Sequence, residues 1–203
     1  MKSLSEIETT VKRASKAAGY SWGISEEIGK SIRLLELFSL PGVKCLNAYF
    51  NERINNNFEN LNLISQKNIS EQNSYCPIIL GVSFLDQVNK LENMKKIEFK
   101  NIAFPLLLLP FLSRSSEIIG KKINVLLDEN QILLNFNVNI ASDLSRNDFT
   151  KIASNVEVNF IENKDNFNED EWNNLYRLSE NTFVEESDSL KQSGAGAGLT
   201  DND

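Results

Sequence analysis

Five side chains stand out as able to do chemistry. Glu26 and Glu27 lie side by side, Asp86 sits inside an apolar stretch, Arg114 stands among Ser113, Ser115 and Ser116, and Trp22 is held between Ser21 and Gly23. Paired carboxylates suit general acid–base work. The same two glutamates at the start of a helix also complement its dipole with no catalytic role. Asp86 reads either as a buried carboxylate or as a helix cap. Arg114 reads either as an anion-binding arginine or as an arginine in a solvated loop. Trp22 reads as a plug over a helix crossing or as the wall of a pocket that stacks a ligand.

The chain has no histidine in 203 residues. This removes the Ser-His-Asp and Cys-His routes to an activated nucleophile. It also removes histidine-ligated zinc and non-haem iron. Cys45 and Cys76 lack metal-ligand spacing and read as small core residues. An enzyme built on this sequence would work with Asp, Glu, Lys, Tyr or a bare Cys.

The closing Gly194-Ala195-Gly196-Ala197-Gly198-Leu199-Thr200-Asp201-Asn202-Asp203 holds three of the nine glycines. It has two readings. One is a frayed, solvated terminus. The other is a small-residue segment that allows close backbone approach, with successive N–H groups forming an anion nest at Gly194, Gly196 and Gly198. Its acidic end favours a cationic partner, although Asp201 and Asp203 without a compact loop make a weak metal site. No cofactor and no metal are expected.

These residues are positioned by elements that the hydrophobic spacing predicts. Residues 3–18 read as a helix with a Ser3–Glu6 capping box, a small face at Ala14, Ala17 and Ala18, and Gly19 as its left-handed terminator. A second helix runs from about Ile24 to Leu37, stopped by Leu40-Pro41-Gly42. Gly29 marks a close crossing over the first helix. Residues 43–60 continue with weaker helical spacing, and 60–74 read as a polar loop. Ile78, Ile79, Leu80 and Val82 favour a strand, with a helix from Phe84 to Leu91. Ile97, Phe99 and Ile102 alternate as a short strand, and Pro105 to Pro110 is a core segment. Ile123, Val125 and Leu127, then Ile132, Leu134, Phe136 and Val138, make a hairpin around Asp128-Glu129-Asn130-Gln131. Val156, Val158 and Phe160 form a further strand. A last helix covers about 169–183, with Trp172, Leu175 and Leu178 on one face. The expected fold is a single α+β domain over 1–203: a helical pair within 1–60, a mainly antiparallel sheet within 75–162, and a C-terminal helix and glycine-rich tail within 169–203.

A net charge of −7 argues against nucleic acid or an anionic membrane face as partner. The longest apolar run, Ala103 to Leu112, is about half a membrane span and contains two prolines. The first residues enter an amphipathic pattern without a signal-peptide core, which points to the cytoplasm. Gly29-Lys30-Ser31 imitates the end of a phosphate loop, but no strand precedes it and Gly23 has the wrong spacing.

Ala-Gly-x-Ser-Trp-Gly-x-x-Glu-Glu-x-Gly-Lys from Ala18 to Lys30, then Leu40-Pro41-Gly42, Cys76-Pro77-Ile78 and the Gly-Ala-Gly-Ala-Gly tail resemble an uncharacterised bacterial domain-of-unknown-function family of about this length. The resemblance carries over no catalytic residues. It implies that the tail is part of the domain. Together these features point to an accessory or binding protein in small-molecule metabolism, acting with a protein partner that the tail engages. The alternative is a lyase or isomerase whose carboxylates supply the acid and base. Whether the chain is itself an enzyme stays open between them.

Overall fold

In a computed structural model the described residues are 2–135, 139–142 and 149–182. Phe136, Val138 and the tail residues Gly194, Gly196, Gly198, Asp201 and Asp203 lie outside them. The chain divides into two units, Met1–Asn163 and Lys164–Asp203.

The first unit begins with helix α1 (Leu4–Ala17). Ser3 caps it, its Oγ accepting the Glu6 N–H at 3.1 Å. Only half of the expected capping box forms, because the Glu6 carboxylate is drawn outward to Lys2. Gly19 ends α1 at φ +97°. Its N–H bonds Lys16 O and the Tyr20 N–H bonds Ser15 O, so the last carbonyls are satisfied by a left-handed reversal. Helix α2 (Trp22–Leu37) starts two residues earlier than the hydrophobic spacing suggests, since Ser21 accepts from the Ile24 N–H. It crosses α1 at Gly29, where a Cβ would stand 2.9 Å from Glu8 O. The close approach is made there. Of the alanine face of α1, Ala14 and Ala17 are exposed, and Ala18 is half-buried against the core. Gly29-Lys30-Ser31 is therefore helix interior. Buried Ile28, Ile32 and Leu35 hold α2 to the core, each contributing about 1.5–3 kcal/mol. Helix α3 (Gly42–Arg53) follows.

Strand β1 (Lys67–Ile69) lies within the polar stretch read as loop. The next segment differs from expectation more sharply. Helix α4 (Pro77–Leu91) takes in the whole run read as a strand. Pro77 suits a first helical turn, where no N–H partner is needed, and Cys76 Sγ accepts the Ile79 N–H at 3.4 Å. Gly81 then lets the helix press on Phe111, where a Cβ would come within 2.4 Å of the ring. This packing overrides the β-preference of Ile78, Ile79 and Val82.

Strand β2 (Lys96–Ala103) leads through a 3-10 turn (Pro105–Leu107) into helix α5 (Leu109–Ile119). The Leu-Pro run is thus turn and first helical turn. The serines around Arg114 are helical and buried, not a loop, with Ser115 Oγ donating to Phe111 O at 2.9 Å. Strands β3 (Lys122–Leu127) and β4 (Asn130–Asn135) form the expected hairpin, with Ile123 opposite Leu134 and Val125 opposite Ile132. Its turn is the two residues Asp128-Glu129, tighter than expected, with Asp128 at φ +49°. Strands β5 (Asn139–Ser142) and β6 (Ile152–Ile161) complete a sheet of order β1-β2-β6-β3-β4-β5. Among these described strands β1 pairs with β2 in parallel, and the other pairings are antiparallel. Ile97, Phe99, Val125, Ile132, Val156 and Val158 give the sheet its buried face.

In the second unit, helix α6 (Glu169–Glu180) opens on a full capping box between Asn168 and Glu171. Trp172 stacks on Phe167 with centroids 5.6 Å apart. Among the described residues no helix is long and apolar enough to cross a membrane.

Candidate functional site

A cleft of about 740 Å³ opens where the α1–α2 turn, the end of α3 and the start of α4 meet. The turn that Gly19 makes drives Tyr20 inward. Helical spacing puts Tyr49, Phe50 and Arg53 along the inner edge of α3. Cys76 is fixed by the sheet, because the preceding Tyr75 donates to Asn101 O at 2.7 Å and accepts from the Ala103 N–H at 3.1 Å. The Cys76 N–H itself bonds Glu59 O at 2.8 Å.

Three buried groups meet here. Tyr20 Oη lies 2.9 Å from Tyr49 Oη, and Tyr49 Oη lies 3.1 Å from Cys76 Sγ. The Tyr49 ring is clamped by Phe58, stacked at 5.2 Å, and by Phe104, edge-on at 5.6 Å. Burial, and then the neighbouring Cys76, push both tyrosine hydroxyls well above the usual phenol range. They stay protonated at any physiological pH and act as hydrogen-bond groups. Around the opening stand exposed Asn51, Asn56, Asn57 and Asn60, together with Arg53. The Arg53 guanidinium sits 4.4 Å from the Tyr20 ring centre, and its Nη1 donates to Ala18 O at 2.8 Å.

The side chains singled out from sequence lie elsewhere. Trp22 is 58% exposed at the first position of α2, with Lys16 Nζ 5.6 Å from its ring centre. It neither plugs the helix crossing nor lines the cleft. Asp86 is exposed on α4, neither buried nor a cap. Glu26 pairs with Lys12 at 3.1 Å and Lys30 at 3.2 Å, and bonds from both lysines lower its pKa. Glu27 pairs with Lys30 and with Arg114. Burial works to raise the Glu27 pKa, but the bonds from Arg114 and Lys30 outweigh it and hold the carboxyl below its ordinary value. So the structure brings together Glu26, Glu27 and Arg114, as a charge network tying α1, α2 and α5.

Cys45 and Cys76 are both buried and unbridged. Burial pushes the Cys45 thiol up to about 12. Among the described residues, no three His, Cys, Asp or Glu side chains gather at metal-holding distance. Sequence reasoning missed the cleft. Tyr20 had the signal of standing one residue past a left-handed helix terminator, which forces its side chain inward. Nothing in the spacing joined it to Tyr49, 29 positions on.

The fold and cleft define a mixed helix–sheet protein with a small-molecule-sized cavity between its N-terminal helices and the start of α4. Residues 2–75 match a family described as a protein of unknown function (DUF3726). That stretch holds α1 to α3, Tyr20, Tyr49 and Arg53, and ends one residue before Cys76. No curated protein and no solved structure gives a match.

Proposed function

We propose that this is a cytoplasmic accessory protein of small-molecule metabolism, which holds a small molecule in the cleft and works with a partner protein. One observation carries the reading. The cleft has the size of a ligand site and closes on the hydroxyl–hydroxyl–thiol set of Tyr20, Tyr49 and Cys76. Groups held protonated recognise a ligand by hydrogen bonding. The carboxylates that a lyase or isomerase would use are committed to ion pairs, at Glu26 and Glu27, or face solvent, at Asp86. The partner is assigned to the glycine-rich tail on its sequence alone.

Native mass spectrometry of the protein taken gently from its own cells tests both parts. The full chain should carry a small added mass that Asn57→Trp, which fills the mouth of the cleft, removes. A chain ending at Ser193 should lose a whole protein and keep the small mass. A bare full-length chain would overturn the reading. Turnover of a small molecule by the isolated chain would replace it with the lyase or isomerase reading.

A further inference from the structure

The charge of the cleft says more than its size. Among the sixteen described residues that line it, Arg53 is the one charged side chain. It meets no carboxylate within ion-pairing distance among the described residues, although the protein as a whole carries −7. The guanidinium is already oriented by Ala18 O and the Tyr20 ring, and its remaining N–H groups are available as a fork. An arginine fixed in place loses little freedom on gripping an anion.

The buried set has the same bias. Tyr20 O–H, Tyr49 O–H, Cys76 S–H and Ile79 N–H supply four protons, and three hydrogen bonds join them: Tyr20 to Tyr49, Tyr49 to Cys76, and Ile79 to Cys76. One proton is left over. Whichever way the two side-chain bonds run, that proton belongs to Tyr20, Tyr49 or Cys76, all of which line the cleft, and it needs an acceptor; with the S–H donating to Tyr49 and Tyr49 to Tyr20 it is the Tyr20 hydroxyl's, beside Arg53. The amides of Asn56 and Asn57 add further N–H donors at the opening. Ile24, Phe50, Phe58 and Ile79 supply an apolar wall. Among the described lining residues there is no carboxylate to receive an ammonium group.

We propose that the cleft takes a small organic acid, with one carboxylate carried on an apolar or aromatic body. The carboxylate lies on Arg53 and the Tyr20 hydroxyl, and the body lies against Phe50, Phe58 and Ile79. A single guanidinium matches a single negative charge, which favours a carboxylate over a doubly charged phosphate ester. This inference rests on the cleft being a ligand site, as proposed above, and goes on to specify the ligand's chemistry.

Three probes with the same ring separate the classes: indoleacetate, tryptophol and tryptamine, which carry an anion, a neutral hydroxyl and a cation. Each is titrated into the full-length chain and followed by amide nitrogen–proton NMR. Indoleacetate should shift the amides of Tyr20, Arg53 and Ile79 and bind about tenfold more tightly than either relative, the worth of one hydrogen-bonded charge contact. Arg53→Gln should erase that preference, and Arg53→Lys, which keeps the charge, should retain part of it. Equal binding of the three probes at these amides, or a preference that survives Arg53→Gln, overturns the acid assignment and leaves a ligand cleft. Failure of all three while mass spectrometry shows a bound small molecule overturns the acid assignment alone. Failure of all three with a bare chain overturns both.

Discussion

Glu27 of α2 and Arg114 of α5 meet in an ion pair across 87 positions of sequence. Each has the composition of a site residue when read alone, and in the fold each answers the other. About three-quarters of each side chain is shielded from solvent, so the pair resists screening better than a surface bridge.

Glu27→Gln should therefore destabilise the protein by about 1.5–3 kcal/mol at neutral pH, the worth of hydrogen bonds to a charged group. The sign of its pH dependence follows from the depressed carboxyl. The stabilisation is fully present above the ordinary glutamate value of 4.5 and is lost as pH falls below it. Urea titrations of wild type and variant should show a gap that is widest above pH 4.5 and closes on further acidification. A gap that widens in acid would contradict the pairing.

Cys45 should resist alkylation at pH 8, more than three units below the value of about 12 to which burial raises its thiol. Iodoacetamide labelling followed by peptide mass spectrometry should find Cys45 unmodified in the native protein and labelled in urea. Rapid native labelling would mean the α3 core opens locally.

Gly81→Ala should be costly for its size. The new Cβ would meet Phe111 at 2.4 Å, and overpacking of this kind destabilises by about 1–3 kcal/mol, occasionally more. A thermal melt gives the answer, and an unchanged midpoint would show that α4 and α5 can slide apart freely.

Tyr49→Phe keeps the ring contacts with Phe58 and Phe104 and deletes the hydroxyl that joins Tyr20 to Cys76. A loss of about 1–2 kcal/mol in chemical denaturation is expected, because two buried neighbours lose a partner at once. Trp22→Phe, at an exposed position, should stay within about 0.5 kcal/mol of wild type. Comparable losses in the two variants would overturn the assignment of the buried hydroxyls.

The N-terminal helices and the β3–β4 hairpin were legible because their signals are local. Ser3 and Gly19 fix the ends of α1 through hydrogen bonds to neighbours a few residues away, and the alternation of Ile123, Val125, Ile132 and Leu134 sets a register of two; the Ser21 cap, which starts α2 at Trp22, was not read. The run from Ile78 to Val82 was not legible as helix. Its β-preference is local, while the cap from Cys76 depends on the sheet partner that fixes Tyr75, and the room at Gly81 depends on Phe111, 30 positions on. Arg114 was misplaced for the same reason, because buried serines and solvated ones look alike in a string.

The sequence by itself determined the composition of any site: no histidine, an acidic surface, and acids, tyrosines and cysteines as the remaining chemistry. It also determined the mixed helix and sheet. Tertiary structure alone decided which of those groups meet. Glu26, Glu27 and Arg114 were drawn into a charge network because α2 packs against both α1 and α5. Tyr20, Tyr49 and Cys76 became one hydrogen-bonded set because a left-handed turn, a helix face and a sheet-anchored cap converge on one point. Local spacing sets the direction of each side chain, and only the packing of distant elements sets what it points at.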